Sequence, residues 1–346
     1  MSLMGAQAQT ELTDYRPGVT AEGAVYCLPK TAIRVSVLVE KSVYKPGEFS
    51  KYAMRYLRMR DVAQEASTTY RVVAVNQTAV GVADTSKTYA VKFNAKTVAA
   101  NLALSDDGCL LAINAQPQKV QVPAPFRAAP KAKVLNPRSF MNEEILAAGS
   151  TAKMAELTAA EIYDLRENRN LLIKGQADFM PSDAAQMKMM LDRLEQQENA
   201  MRTLFTGTTV TDTTETIVTI VPDASQRQVL FRISQKLGLV DADDLSGAPY
   251  YITVENLNTL PPVDEEAAAK KKKQPEAGIY VNVPGRMRST ITQSDETMLS
   301  VTEFPAAQFG HVELLSGELF NKRYTTHLWL NAVTGAVERL EAEQPK

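Results

Sequence analysis

The sequence predicts an α+β protein that is mainly β, with two β-sandwich-like lobes and a helical hairpin insert between them. Three observations carry this prediction. Apolar and polar residues alternate from Ile33 to Glu40, which is typical of a half-buried strand. Gly- and Pro-containing turn motifs separate several runs of this kind. Residues 150–207 instead repeat apolar residues at helical spacing.

Composition limits the classes of function. A chain of 346 residues suggests more than one domain, and 45% hydrophobic with 23% charged residues is ordinary for a globular protein. The formal net charge of -2 gives no strong field for nucleic acid. No apolar run approaches the ~20 residues that span a bilayer. We therefore expect neither a nucleic-acid partner nor a transmembrane segment.

Shifts in composition predict five segments. Prolines and basic residues are concentrated between two β-rich regions, and an Ala-, Lys- and Glu-rich run interrupts the second region. The segments are a flexible leader and signal remnant at 1–19, an N-terminal β lobe with one short helix at 20–115, a Pro-rich basic connection at 116–149, the helical hairpin at 150–207, and a C-terminal β lobe at 208–346 with a mobile loop at 259–277.

Strands are expected in the first lobe at residues 24–43, 70–75, 89–93 and 110–113, with a turn at Asp106-Asp107-Gly108 before the last. A short amphipathic helix is expected after Pro46-Gly47. Its apolar residues recur at i, i+3, i+4, i+7 and i+8, as one helical face requires. They are Phe49, Tyr52, Ala53, Tyr56 and Leu57.

The hairpin has local start and stop signals. Thr158-Ala159-Ala160-Glu161 has the spacing of a capping box, and Gly175 predicts the end of the first helix. Pro181-Ser182-Asp183 restarts the helix, and Gly207 ends it. The second helix carries an apolar stripe, made of Met187, Met190, Leu191, Leu194, Met201, Leu204 and Phe205.

In the second lobe, residues 216–221 and 228–234 flank a Pro-Asp-Ala-Ser turn and predict a β-hairpin. Another strand is expected at 250–255, and a final turn at 331–335. The run Phe93–Ala99 repeats Asn, Ala, Thr and Ala in register with Leu330–Ala336. The repetition indicates either two related lobes or a chance similarity of two turns.

The residues at the N-terminus indicate the cellular compartment of the protein. Ala6 and Ala8 match the A-x-A end of a secretory signal peptide, after a Met1-Ser2-Leu3 start that resembles an added leader. A disordered Ala/Gln tail is the alternative. With the first interpretation, we expect an exported protein of the periplasm or cell surface.

Cys27 and Cys109 are the two cysteines, too few for a metal-binding cysteine cluster. In an exported protein they could form one disulfide if their Cα atoms come within reach. Both lie in apolar, strand-like sequence, and two separate buried thiols are the favoured interpretation. The sequence leaves their pairing open.

Catalytic motifs are not found. A Ser-His-Asp triad would have to use His311 or His327, and no G-x-S-x-G motif is present. The acidic run Asp241–Gly247 departs from EF-hand spacing, and no Gly-rich phosphate loop follows a strand. We expect no cofactor and no metal, and favour a non-enzymatic role. Paired glycosidase carboxylates have no local signature, so carbohydrate processing stays an alternative.

Tyr44, Tyr52, Arg55 and Tyr56 are the candidate partner-contact residues. Tyrosine rings beside an arginine form a platform suited to a sugar or a peptide. The same spacing is also required of a helix that packs on a sheet, and that interpretation is favoured. The Met-rich stripe has the same ambiguity, because two helices must also bury each other. If the hairpin projects, its outer face becomes the best partner-binding candidate.

Several stretches carry a family resemblance. The most specific runs from Tyr26 to Thr31, Val39 to Lys41 and Tyr44 to Ala53, and further similarity lies at 102–114, 204–207 and 307–310. Together they resemble an uncharacterised family of exported Bacteroidetes proteins known as domain of unknown function 4831, along nearly the whole chain. The resemblance implies an envelope or periplasmic setting and supplies no activity.

The leading hypothesis is therefore a non-enzymatic envelope protein that binds or scaffolds a macromolecular partner, either an envelope protein or a glycan. The alternative is a carbohydrate-binding or carbohydrate-processing protein. A weaker alternative is a calcium-stabilised, adhesin-like module.

Overall fold

A computed structural model describes residues 18–19, 23–92, 101–119, 123–130, 135–260, 278–320 and 325–343. Three antiparallel sheets and a helical layer make up the described chain, so the predicted mainly β, α+β class is confirmed. None of the helices in these ranges combines the length and hydropathy that a membrane span requires. Residues 1–17 of the predicted leader and signal remnant, the run Phe93–Ala99 and most of the predicted mobile loop lie outside the described residues.

The described strands are β1 Gly18–Val19, β2 Gly23–Lys45, β3 Ser67–Lys92, β4 Leu102–Leu104, β5 Leu110–Ile113, β6 Thr208–Ile220, β7 Gln226–Ser234, β8 Gly238–Val240, β9 Ala248–Asn256, β10 Gly278–Gln293, β11 Met298–Ser316, β12 Thr325–Leu330 and β13 Val337–Glu343. They form three sheets. Sheet 1 contains β1, β2, β3 and β6, with β2 between β3 and β6. Sheet 2 has the order β11-β10-β9-β7-β8, and sheet 3 the order β13-β12-β5-β4.

Two long strands organise the molecule. β2 has 23 residues and β3 has 26, and they pair from Gly23↔Lys92 to Tyr44↔Ser67. The sequence predicted separate strands at 70–75 and 89–93, but the single strand β3 covers residues 70–75 and 89–92. Gly81 does not interrupt it, because the β2 ladder fixes its backbone and its missing side chain leaves room for the carbonyl group of Ala332.

The first β core lies between sheets 1 and 2. The alternating residues of β2 are fully buried there, as their period of two predicts, and they face large side chains from β7, β9 and β10. Its central members are Ile33, Val35, Val37, Phe231, Tyr250, Ile252, Met287 and Ile291.

The second β core lies at the other end of the long strands. It joins the first residues of β2 and β10 to sheet 3, with Tyr26, Leu28, Leu110, Ile113, Ile279 and Leu328 as central members. A register shift between Val283 and Gly285 marks where β10 passes from one core to the other. Both cores contain side chains from both predicted lobes. Whether each predicted segment folds as a separate unit stays a prediction.

The predicted hairpin of residues 216–221 and 228–234 is wrong. β6 pairs with β2 in sheet 1, whereas β7 pairs with β8 and β9 in sheet 2. The residues between β6 and β7 therefore cross from sheet 1 to sheet 2. Along this crossing, Gln308 donates a hydrogen bond to the carbonyl of Pro222, and Lys30 contacts Asp223. The predicted strand at 250–255 and the turn at 331–335 are confirmed.

The helical layer contains the predicted hairpin, α3 Thr151–Lys174 and α4 Ala184–Thr206. Asp183 caps α4, and Gly175 and Gly207 end the two helices at positive φ, as predicted. The predicted capping box is wrong, because Ser150 caps α3 and Thr158 is buried inside the helix, donating to the carbonyl of Met154. The shorter helices are α1 Ala53–Leu57 and α2 Glu143–Leu146, with single 3-10 turns at Ser50–Tyr52 and Pro137–Phe140.

Candidate functional site

The base of the hairpin is built into a third core, which we call the helical core. Phe49, Ala53 and Leu57 are buried in it, as expected for the apolar face of a helix that packs. They meet the first half of α3 and the last turns of α4, and the rings of Phe49 and Phe205 lie edge to face at 5.4 Å. The base of the hairpin is therefore fixed to the end of β2.

The structure brings three of the four predicted contact residues together on α1 and the 3-10 turn that precedes it. Tyr52 and Tyr56 are half-buried with ring centroids 6.1 Å apart, and the exposed Arg55 guanidinium lies 5.2 Å from the Tyr56 ring centroid. Tyr163 of α3 adds a fourth polar group, since its hydroxyl donates to the carbonyl of Tyr56 at 3.1 Å. These residues form a small aromatic surface beside the hairpin.

Tyr44 has a different environment. Its hydroxyl lies 2.7 Å from the carbonyl oxygen of Ala63 and 3.0 Å from that of Thr206, at the end of α4. Its ring also covers Gly207, which leaves no room for a side chain at that position. Tyr44 therefore connects β2, the loop after α1 and the end of α4.

A buried ion-pair cluster lies midway along the hairpin. Glu198 of α4 has a side chain that is 9% exposed. Its carboxylate accepts a hydrogen bond from Arg166 Nε at 2.6 Å and forms an ion pair with Arg169, whose Nη1 lies 3.0 Å away. The two arginines are one turn apart on α3, so one carboxylate joins two consecutive turns of the partner helix. The cluster fixes the register of α3 against α4.

Beyond this cluster, the hairpin has little cover. We call residues 171–194 the hairpin tip. In α4, every residue from Ala184 to Gln197 is at least partly exposed, and the first buried side chain is Glu198. Large apolar side chains are exposed in the tip, with Ile173 65%, Phe179 71% and Met189 66% exposed. The tip thus presents apolar surface that the described body of the protein does not bury.

An open groove runs along one side of the tip. It has a volume of about 260 Å³ and lies between the end of α3, the connecting loop and α4. Its walls are mainly apolar, and three polar side chains stand among them. The apolar residues are Leu171, Leu172, Ala177, Phe179, Met190 and Leu194, and the polar ones Asn168, Gln176 and Asp178.

The residues considered for catalysis and metal binding occupy structural settings. His327 contacts the carbonyl of Asn114 and stacks on Trp329, and His311 contacts Glu313 at 3.1 Å. In the acidic run, the Asp244 carboxylate accepts from the backbone N–H of Ser246, which lowers the pKa of that carboxyl. Within the described ranges, no three His, Cys, Asp or Glu side chains converge as metal ligands would.

Comparison with protein families places the chain beside a family that has no assigned activity. Residues 22–338 match the family described as a domain of unknown function, DUF4831. The chain belongs to the DUF4831 family. The match spans the whole of the described hairpin, the aromatic surface and both β cores. No curated protein and no solved structure matches the chain, so the DUF4831 assignment brings no activity with it.

Two features of this DUF4831 chain were missed from sequence. Glu198, Arg166 and Arg169 carry no signal beyond the ordinary charges of a helix surface, because their contact depends on which helix faces align. The exposure of Ile173 and Phe179 was also not predictable, because the spacing of apolar residues does not show which of them another element buries. Gly175 and Pro181 did mark the loop between the helices, and this was the available signal for the tip.

Proposed function

We propose that this protein is an exported, non-enzymatic envelope protein that binds a partner protein through the hairpin tip. The observation that carries the proposal is the concentration of exposed Ile173, Phe179 and Met189 beyond the last buried turn of the hairpin. Apolar surface exposed in one place is typical of interaction sites in stable proteins. The export assignment is supported by the signal-like N-terminus and by the family resemblance.

The tip has the form of a peptide- or helix-binding surface. Its groove offers a volume suited to one or two apolar side chains, and its Met residues adapt to irregular partners. Burying a side chain of the size of Phe or Ile contributes about 1.5–3 kcal/mol each. Three such side chains supply enough apolar surface for the anchor of a specific contact.

Charge favours a protein partner with a neutral contact face. The tip contains Lys174, Lys188 and Arg193 against Asp178, Asp183 and Asp192, three positive and three negative side chains that cancel. No net field therefore recruits a polyanion such as nucleic acid or an acidic glycan to the tip. Specificity would come from apolar anchors in the groove and from hydrogen bonds to Asn168 and Gln176.

Affinity capture from envelope extract tests the proposal. The bait is the full chain, compared with a variant carrying Ile173→Ser and Phe179→Ser. We expect the variant to fold normally, because both side chains are largely exposed, and to recover at least tenfold less of the captured protein. The matched control is Leu245→Ser, since Leu245 is 82% exposed and lies between β8 and β9 rather than on the hairpin.

Equal recovery with both variants contradicts the proposal. Recovery of no protein by any bait contradicts it as well, and directs attention to a glycan. The half-exposed rings of Tyr52 and Tyr56 are the observation that favours this second candidate, because sugars stack on aromatic faces. A glycan array probed with the intact chain and with Tyr56→Ala distinguishes the two.

A further inference from the structure

The two cysteines meet in the structure although 82 positions separate them in sequence. Cys27 of β2 and Cys109, directly before β5, are partners in an isolated parallel β-bridge. The backbone N–H of Cys27 donates to the carbonyl of Gly108 at 2.9 Å, which holds the two segments side by side. Paired residues on neighbouring strands have Cα atoms about 5 Å apart. This separation lies within the range that a disulfide spans.

We propose that Cys27 and Cys109 are the two halves of a structural disulfide that joins sheet 1 to sheet 3 when the chain folds in an oxidising compartment. Both thiols are free in this structure. Cys27 Sγ lies 3.5 Å from the hydroxyl of Thr88, and the Cys109 thiol interacts with Ser105. Leaving these weak partners requires side-chain rotation, while the bridge keeps the backbones in place.

A covalent bond between these two residues would stabilise a segment that few strand contacts hold. The segment 101–113 forms two short strands, and β5 contacts β12 through two residue pairs. The Cys27–Gly108 hydrogen bond and the second β core connect this segment to β2. Closing a loop that contains all of β3 removes much conformational freedom from the unfolded chain.

The bond forms by two thiol–disulfide exchanges. With oxidised glutathione as oxidant, one cysteine thiolate attacks a glutathione sulfur and releases one glutathione thiol. The second thiolate attacks the resulting mixed disulfide and releases the other glutathione thiol. Two protons and two electrons pass from the protein thiols to the two glutathione molecules.

The burial of both cysteines determines when the disulfide can form. Cys27 is 3% and Cys109 5% exposed, and burial raises the pKa of Cys109 to about 11. Almost no thiolate exists at Cys109 in the folded, reduced protein near neutral pH. Exchange is therefore fast during folding and slow afterwards.

The test is refolding of the full chain from denaturant at pH 8, with oxidised and reduced glutathione or with reductant alone. We expect the glutathione product to weigh about 2 Da less than the reduced chain, by the loss of two hydrogens. It should yield one peptide pair linking residues 27 and 109, and its melting temperature should be about 5–10 °C above that of the reduced protein. The already folded, reduced protein should react at least tenfold more slowly.

Recovery of both residues as alkylatable thiols after oxidative refolding overturns the proposal, as does glutathione retained on either residue. Disulfide-linked dimers as the main product also overturn it. Cys27→Ala and Cys109→Ala serve as controls, and the melting temperature of each should be insensitive to reductant. The wild-type peptide map decides the question even if both variants fold poorly.

Discussion

At the scale of single residues, Glu198 is the side chain on which the hairpin depends most. It is buried between Arg166 and Arg169, and no other carboxylate is shown to reach either guanidinium in the described chain. Removing one partner from a buried ion-pair cluster costs about 1–4 kcal/mol, because the remaining charges lose their compensation. We expect Glu198→Gln to lower the free energy of unfolding by this amount in urea denaturation.

The matched control for this prediction is Glu195→Gln, one turn earlier on α4 and exposed. Its expected effect is within about 0.5 kcal/mol, as for most surface substitutions. Equal losses for the two variants would contradict the assigned role of the cluster. The ends of the two helices at Gly175 and Gly207 were predicted because glycine at a helix C-terminus is a local signal, whereas the Glu198 cluster depends on the alignment of two helices.

At the scale of elements, the contact between the end of β2 and α4 decides how the helical layer is attached. Phe49 donates its backbone N–H to the carbonyl of Leu204 at 2.7 Å, and a side chain at Gly47 would overlap that same carbonyl group. Gly47→Ala should therefore push the turn away from α4. We expect a loss of about 1–3 kcal/mol in the free energy of unfolding, as for other overpacked sites.

Gly149→Ala is the matched control, since an added methyl group there meets no neighbour within 4 Å. It should leave stability nearly unchanged in the same denaturation experiment. A destabilised Gly149→Ala with an unaffected Gly47→Ala would contradict the described packing. The elements themselves were largely predictable, because periods of 2 and 3.6 residues are visible in sequence. The pairing of β6 with β2 was not, since two adjacent strands and a turn motif look the same whether or not they form a hairpin.

At the scale of the whole molecule, buried phenol and thiol groups predict a loss of stability at alkaline pH. Burial raises the pKa values of Tyr26, Tyr89 and Tyr250, and that of Cys109 to about 11. The unfolded chain releases these protons at ordinary values, about 8.5 for cysteine and 10 for tyrosine. Above those values the unfolded state binds fewer protons than the folded state, so stability falls as pH rises.

Urea midpoints measured with reductant between pH 8 and pH 11 check this prediction. We expect a progressive decline above about pH 8.5–10 that is shallower in Cys109→Ala, whose mutant chain has no thiol to ionise at this position. A midpoint that is constant or rises over this range would contradict it.

The fold class was predicted from the sequence, but the pairing of the strands was not. Alternating strands and a capped hairpin are local patterns, so a mainly β fold with an inserted hairpin follows from sequence. The sharing of both β cores between the first and last thirds of the chain depends on long-range pairing, such as that of β5 with β12. The uncovered hairpin tip likewise emerges only when the whole molecule is assembled.

Photo-crosslinking in intact cells shows whether the hairpin tip contacts a partner protein. A photoreactive amino acid replaces Phe179 in one version of the full chain and Leu245 in another, both positions being highly exposed. We expect a discrete crosslinked protein from position 179, absent from position 245 and lost when Ile173→Ser is added. The same crosslinked product from both positions, or none from position 179, would contradict it.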